Sequence, residues 1–302
     1  MKVFVAGGSG AIGIPLVRAL VAGGHQVSAL TRSAGQQDAL RAAGATPLIA
    51  DALDRAALKA AVEAARPAAV IHQLTALPKD APRRPSDLAP TNRLRIEGTR
   101  NLLDAAIDVG AKRFLVGSFA LLSPRGPAPS GSEDEAAAAV RSMETQVLEA
   151  TKRGAIEGII LRYGMFYGLE TPSTMAMIGL IRKRRLPVVR GDASQLPFIH
   201  IDDAVSATVR ALDAAPPGAI YDIVDDRAVS LTEFVQTIAQ YIGAPPPIRV
   251  PGWLPRLLAP YLARVLSMRM PLSNAAAKAE LGWRPKYPTL RDGLSQMFRQ
   301  AA

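Results

Sequence analysis

Seven residues near the start of the chain limit what it can fold into more than any others do. Gly7-Gly8-Ser9-Gly10-Ala11-Ile12-Gly13 follows the short apolar run Lys2–Ala6 and opens the amphipathic stretch Ile12–Ala22. Glycine lets the backbone turn tightly, lets a pyrophosphate approach, and lets a helix pack close on a strand. A helix N-terminus offers N–H donors and the positive end of a dipole to phosphate. Glycines at 7, 10 and 13 in a strand–turn–helix context therefore predict a dinucleotide site. Gly7, Ser9, Gly10, Ala11, Ile12 and Gly13 would line it.

The rhythm that follows agrees with this start. Short apolar runs at Gln26–Leu30, Thr46–Ala50, Ala69–His72, Arg113–Gly117 and Gly158–Arg162 read as strands. Helical patterns at Ser33–Ala43, Arg55–Ala65, Asn92–Val109 and Glu135–Lys152 separate them. Continuous apolar runs suit strands buried on both faces. Strand–helix alternation predicts a parallel sheet with right-handed crossovers. The expected fold is α/β, a Rossmann-like doubly wound parallel sheet with a small C-terminal α/β substrate-binding lobe. Residues 1–165 read as the dinucleotide-binding domain and 166–302 mainly as the lobe, with 198–225 returning to the Rossmann core.

Past residue 165 the rhythm loosens. Thr174–Arg184, Asp202–Ala214 and Leu231–Ile242 read as helices, Pro187–Val189 and Ala219–Val224 as strands. Ser230 with Glu233 three residues on fits a capping box. Trp253–Met268 is apolar on more than one face, which suits a lid or a wall for an apolar substrate. Polar, proline-bearing segments at Lys79–Pro90 and Ser123–Ser132 read as surface loops.

The chain has 302 residues, no Cys and a formal charge of +10. A thiolate metal site and a cysteine nucleophile are excluded, and no metal site is expected. The basic residues are scattered. The densest cluster, Arg182-Lys183-Arg184-Arg185, ends a helical pattern, where cations suit the dipole. With no stacking platform beside it, nucleic acid is not an expected partner. No signal peptide or membrane span is readable, so a cytoplasmic protein without membrane insertion is expected.

The end of the second strand bears on the cofactor. An acid there binds the ribose 2′-OH of NAD, whereas a nearby Arg accepts the 2′-phosphate of NADP. The sequence reads Thr31-Arg32-Ser33 with no acid before Asp38. A planar cation between two hydroxyls favours NADP(H) over NAD(H).

Taken together, the motifs resemble the extended short-chain dehydrogenase/reductases, and more narrowly the NAD-dependent epimerase/dehydratase family. Asp51-Ala52 resembles the family's adenine contact. Val70–Ala76, including Leu74 and Thr75, resembles the segment under the cofactor. Asn92 with Gly98-Thr99-Arg100-Asn101-Leu102 resembles its N…GTxNL helix. Phe114-Leu115-Val116-Gly117-Ser118 resembles the strand that ends in the active-site Ser. Arg162–Gly168, with Tyr163, Phe166 and Tyr167, resembles the loop that meets nicotinamide and substrate. Phe198–Asp203 resembles an FxHxDD element and Lys278–Pro285 a KAxxxLGWxP signature. The resemblance implies a small-molecule substrate in the cleft between domain and lobe. It also implies a homodimer through the helices at Asn92–Val109 and Glu135–Lys152.

The family's chemistry uses Tyr-x-x-x-Lys, which puts both groups on one helix face. The Lys charge lowers the phenol pKa. Here no Tyr has a Lys four residues later, and Ala136 and Val140 fall at the expected positions. Ser118, Tyr163 and Tyr167 are the candidate catalytic groups. His72 and His200 read better as structural, and Glu133, Asp134 and Glu135 as acids at a helix start. An NADP(H)-dependent oxidoreductase or epimerase/dehydratase-like enzyme is the leading expectation. A non-catalytic NADP-binding regulatory or assembly protein stays open, as does a non-redox isomerase or cyclase.

Overall fold

The apolar runs of the first half become strands whose successive side chains enter opposite cores. In β1 (Lys2–Ala6), Val3 and Val5 face one cluster and Phe4 and Ala6 the other. The structure is a computed structural model that describes residues 1–77, 82, 84–123, 134–258, 260–270 and 272–299. After β1 come α1 (Gly13–Ala22), β2 (Gln26–Thr31), α2 (Gln37–Ala42), β3 (Thr46–Ile49), α3 (Arg55–Ala65) and β4 (Ala69–His72). Then follow α4 (Ala89–Arg93), α5 (Thr99–Asp108), β5 (Arg113–Phe119), α6 (Glu135–Lys152) and β6 (Glu157–Tyr163). The remainder is β7 (Met165–Tyr167), α7 (Pro172–Arg182), β8 (Val188–Val189), β9 (Phe198–His200), α8 (Ile201–Ala214), β10 (Ile220–Ile223) and α9 (Leu231–Tyr241). Last come β11 (Arg249–Val250), α10 (Trp253–Leu258), α11 (Pro260–Leu266), α12 (Ala275–Glu280) and α13 (Leu290–Arg299).

Seven strands form one parallel sheet in the order β10-β6-β5-β4-β1-β2-β3. The chain order reverses between β1 and β4. In such sheets the crevice beyond the strand C-termini at the reversal is the ligand site. One core lies under α1 and α8, the other under α3, α5 and α6. A third fills the lobe around Tyr167, Phe198 and Phe234, with the two phenylalanine rings stacked 4.2 Å apart. Among the described residues no helix is long and apolar enough to cross a membrane.

Several elements differ from the sequence expectation. The helix expected over Asn92–Val109 starts at Ala89 and contains a π turn at Leu94–Gly98. Strands β7 and β9 pair in parallel, and three-residue strands leave no readable periodicity. The apolar stretch Trp253–Met268 is two helices, the second opened by Pro260. Ser230 Oγ accepts from Glu233 N at 3.0 Å, but the Glu233 carboxylate turns to Arg227 rather than closing the box. Of the expected surface loops, residues 79–81, 83 and 124–132 lie outside the described residues, as does Glu133. So do the side chains of Leu262, Val265 and Leu266.

Candidate active site

The glycine loop is closed by its own backbone. Gly10 N donates to Gly7 O and Gly13 N to Gly10 O, each at 3.0 Å. Gly7 has φ +88°, and a Cβ there would sit 2.6 Å from Gln73 O. A Cβ on Gly13 would sit 2.2 Å from Gly7 O, so neither position accepts a side chain. Gly10 and Ala11 are exposed, and the Ala11 and Ile12 amides have no backbone acceptor among the described residues. Helix α1 carries no acid in its first turn and no side-chain cap. The positive end of its dipole is therefore unneutralised, and the cradle fits a pyrophosphate.

Thr31 is buried at the end of β2 and braces this loop. Its Oγ1 lies 3.0 Å from Ser9 Oγ and accepts from Ser33 N at 3.2 Å. Arg32 is exposed and forms no ion pair among the described residues, while the next acid along the chain, Asp38, pairs with Arg41. Asp51 Oδ1 accepts from Leu53 N at 2.9 Å, and Asn101 Nδ2 donates to Ala52 O at 3.0 Å. The turn after β3 is thereby fixed. Val116 and Asn92 are buried, Leu74 and Phe166 half-buried, and Thr75 exposed.

Gln73 organises the crevice itself. Its backbone meets Gly7 and its N–H donates to Ala6 O at 2.8 Å. A Cβ on Gly117 would lie 2.2 Å from Gln73 Oε1, so the glycine makes room for the amide. Gln73 Nε2 then donates to the Tyr163 hydroxyl at 3.0 Å. Thr208 Oγ1 donates to Ala204 O, so Tyr163 donates to Thr208 Oγ1 at 2.7 Å. The phenol is buried with both of its roles engaged, and burial pushes its pKa up to about 12.

Ser118 and Tyr167 are also held in buried networks. Ser118 Oγ donates to Glu144 Oε1 at 2.6 Å, and Ser123 Oγ lies 3.0 Å from the same oxygen. Arg162 closes on Glu144 in a fork, with Nε at 3.0 Å and Nη2 at 2.6 Å. Ala136, Val140 and Glu144 are all buried and recur every four residues of α6, so they share its sheet-facing side. Tyr167 donates to Asp225 Oδ2 at 2.9 Å inside the lobe core. Burial and the Asp225 charge push that phenol far above its ordinary range. Burial likewise raises Asp225. His72, at the end of β4, accepts from Leu74 N and meets Thr99 Oγ1 at 2.9 Å. Burial, with the Arg95 charge nearby, lowers its pKa to about 4, so it is neutral at pH 7.

The NAD-dependent epimerase/dehydratase family model matches residues 3–223. The chain belongs to this family. It is an extended short-chain dehydrogenase/reductase, an NAD(P)-dependent oxidoreductase class. A 3-diazoavenalumate denitrifying reductase from a Streptomyces species is 40% identical over 98% of this chain and 100% of its own length. A ketoreductase of a farnesylated dihydroquinoline oxide from Stigmatella aurantiaca is 28% identical over 80% of this chain and 74% of its own. Among solved structures, the Thermus thermophilus UDP-glucose 4-epimerase complex with NAD shares 22% identity. It superposes at a TM-score of 0.79 over 100% of both chains. The dTDP-glucose 4,6-dehydratase from Streptomyces venezuelae, with NAD bound, reaches 0.80 at 22% identity, over 99% of this chain and 96% of its own.

Two of the motifs pack against each other on the α8 side of the sheet, where Leu281 and Trp283 join the core under α1 and α8. Asp203 accepts from Lys286 N at 2.6 Å and from Tyr287 N at 2.9 Å, and Trp283 Nε1 donates to Ser206 Oγ at 2.9 Å. The FxHxDD and LGWxP elements are thus two halves of one joint. His200 accepts from Asp202 N there, its ring tilted 55° against that of Tyr287 at 4.3 Å. The sequence reasoning missed Gln73, Glu144 and Thr208 as organisers of the cleft.

Proposed function

We propose that this protein is an NADP(H)-dependent reductase that passes hydride to a small electrophile without a side-chain proton donor. The reading rests on one observation. Every phenol and hydroxyl expected to serve as the acid is committed to a protein partner, and the sequence reading that sets Ala136 and Val140 at the Tyr/Lys positions supports the same conclusion. The crevice residues would hold a nicotinamide dinucleotide, whose reduced form would supply the hydride. The loop amides of Ala11 and Ile12 would hold its pyrophosphate and Arg32 a 2′-phosphate. Gly7, Ser9, Gly10, Gly13, Ser33, Asp51 and Ala52 would shape the adenosine side. Leu74, Thr75, Asn92, Val116, Gly117, Tyr163 and Phe166 would shape the nicotinamide side. Thr31 and Ser118 act as braces rather than ligands.

A proton donor is unnecessary when the acceptor expels a neutral group. A carbon-bound diazonium takes a hydride, forms C–H, breaks C–N and releases N2, with both electrons accounted for. The 40%-identical relative is named as a denitrifying reductase of a diazo compound, which supports this acceptor class. The test is NADPH oxidation at 340 nm against arenediazonium salts, activated alkenes and ketones. The expected result is turnover of a diazonium with kcat unchanged from weakly acidic to weakly basic pH. Ser118→Ala and Tyr163→Phe should keep that profile. Turnover of ketones alone, with a basic limb lost in Tyr163→Phe, overturns the proposal. Tight NADPH binding without turnover of any class favours a non-catalytic role. A homodimer through α5 and α6 is part of this reading, checked by light scattering.

A further inference from the structure

Arg95 sits on the π turn Leu94–Gly98 and is only 7% exposed. A π turn inserts a residue into a helix and re-aims the side chains around it, often at a functional position. The guanidinium has one hydrogen bond among the described residues, a long one of 3.4 Å to Asn92 Oδ1. No carboxylate of the described residues pairs with it. Burial lowers its pKa to about 10, which still leaves it cationic at pH 7. Buried charges are ordinarily paired, because the lost hydration must be replaced.

The π turn that carries Arg95 packs against α6. Tyr261 of α11 packs with Leu88 and with Ala136, the α6 residue that the sequence reading sets at the Tyr position; Leu122 flanks them. The Tyr261 ring is 8% exposed, and its hydroxyl has no hydrogen-bond partner among the described residues. Arg264 lies 5.6 Å from the ring centre and is tied by an ion pair to Asp134 at the start of α6, which anchors the helix over the cleft. Arg95 and Tyr261 lie within each other's electrostatic reach. Arg95 also feels His72, at the C-terminal end of β4 beside the sheet's switch point.

We infer that Arg95 and the Tyr261 hydroxyl form an anion subsite that takes the carboxylate or phenolate of a planar, conjugated substrate, with Leu88, Leu122 and Ala136 as its apolar walls. A guanidinium fork matches a carboxylate in two parallel hydrogen bonds. The absent phenol on α6 leaves the floor on which Tyr261 rests. The subsite orients the substrate and donates no proton. The inference deepens the reductase reading by naming the substrate's charge, and it rests on that reading for where the substrate lies.

Calorimetric titration of the full-length protein, with and without NADP+, uses cinnamate as the anionic probe and cinnamamide as its neutral isostere. Cinnamate should bind at least about tenfold tighter than cinnamamide. Arg95→Gln should abolish that preference, Arg95→Lys should restore part of it, and Tyr261→Phe should weaken cinnamate several-fold while keeping the ring packing. NADP+ affinity should stay unchanged in all three. Thermal melts add an independent readout, since cinnamate should raise the Tm of the wild type and not of Arg95→Gln. Equal binding of the two probes, no cinnamate binding at millimolar concentration, or unchanged cinnamate affinity in Arg95→Gln overturns the inference. A parallel loss of NADP+ affinity overturns it too, by assigning Arg95 to the cofactor. If the Arg95 variants do not fold, Tyr261→Phe with the probe pair decides alone. Absence of NADP+ binding by the wild type would instead count against the reductase reading, and the probe pair would still decide the subsite.

Discussion

Replacing Arg32 with Ala removes the exposed cation that directly follows β2 and forms no ion pair among the described residues, while leaving the Ser9–Thr31 brace in place. A 2′-phosphate carries roughly two negative charges near neutral pH. Each at about 4 Å from the guanidinium contributes about 1 kcal/mol in water-like surroundings. The sum is about 2 kcal/mol, or roughly a thirtyfold loss of NADPH affinity. NADH lacks the phosphate and should bind the variant and the wild type alike. An exposed contact is screened by salt, so the wild-type preference for NADPH should shrink as ionic strength rises. Calorimetric titration of both cofactors at two salt concentrations measures all of this. If wild type binds NADH as tightly as NADPH, or Arg32→Ala leaves NADPH affinity untouched, the reasoning from the Thr31-Arg32-Ser33 turn is refuted.

Three further outcomes follow from the buried polar groups. Glu144→Gln strips the charge partner from Arg162 and should cost about 3 kcal/mol, as breaking a buried pair does; an unchanged urea midpoint would show that the fork carries no stability. His72 has its folded pKa lowered to about 4 against 6.5 unfolded, so its contribution is complete above pH 6.5 and fades as pH falls towards 4. The loss reaches about 3 kcal/mol, and urea curves across that range should fall less steeply with pH in His72→Gln than in wild type. Tyr163→Phe should lower the melting temperature through the lost Gln73 and Thr208 bonds, about 1–2 kcal/mol, with turnover retained within several-fold. A loss of turnover beyond a hundredfold would return the phenol to the list of acids.

The fold was legible because its determinants are local. The glycine loop, the apolar strands and the strand–helix alternation each follow from residues close in sequence, and right-handed crossovers then leave few topologies open. The backbone of the glycine loop and of the turn after β2 was legible for the same reason, since Gly7 to Gly13 and Thr31 to Ser33 act through their own backbone and immediate neighbours. The roles of single polar side chains were not. Ser118 reads as an active-site hydroxyl until α6, 26 residues on, brings Glu144 onto it. Tyr163 reads as a free phenol until Gln73, 90 residues earlier, and Thr208, 45 later, take both of its hydrogen-bonding roles. Arg95 carries no signal in the sequence, and only the packing around the π turn leaves it buried without a carboxylate partner among the described residues. What the linear chain determines is where backbone must bend and which faces are apolar. Which hydroxyl is spent and which cation is left without a counterion depends on partners that only packing brings within about 3 Å, where hydrogen bonds form.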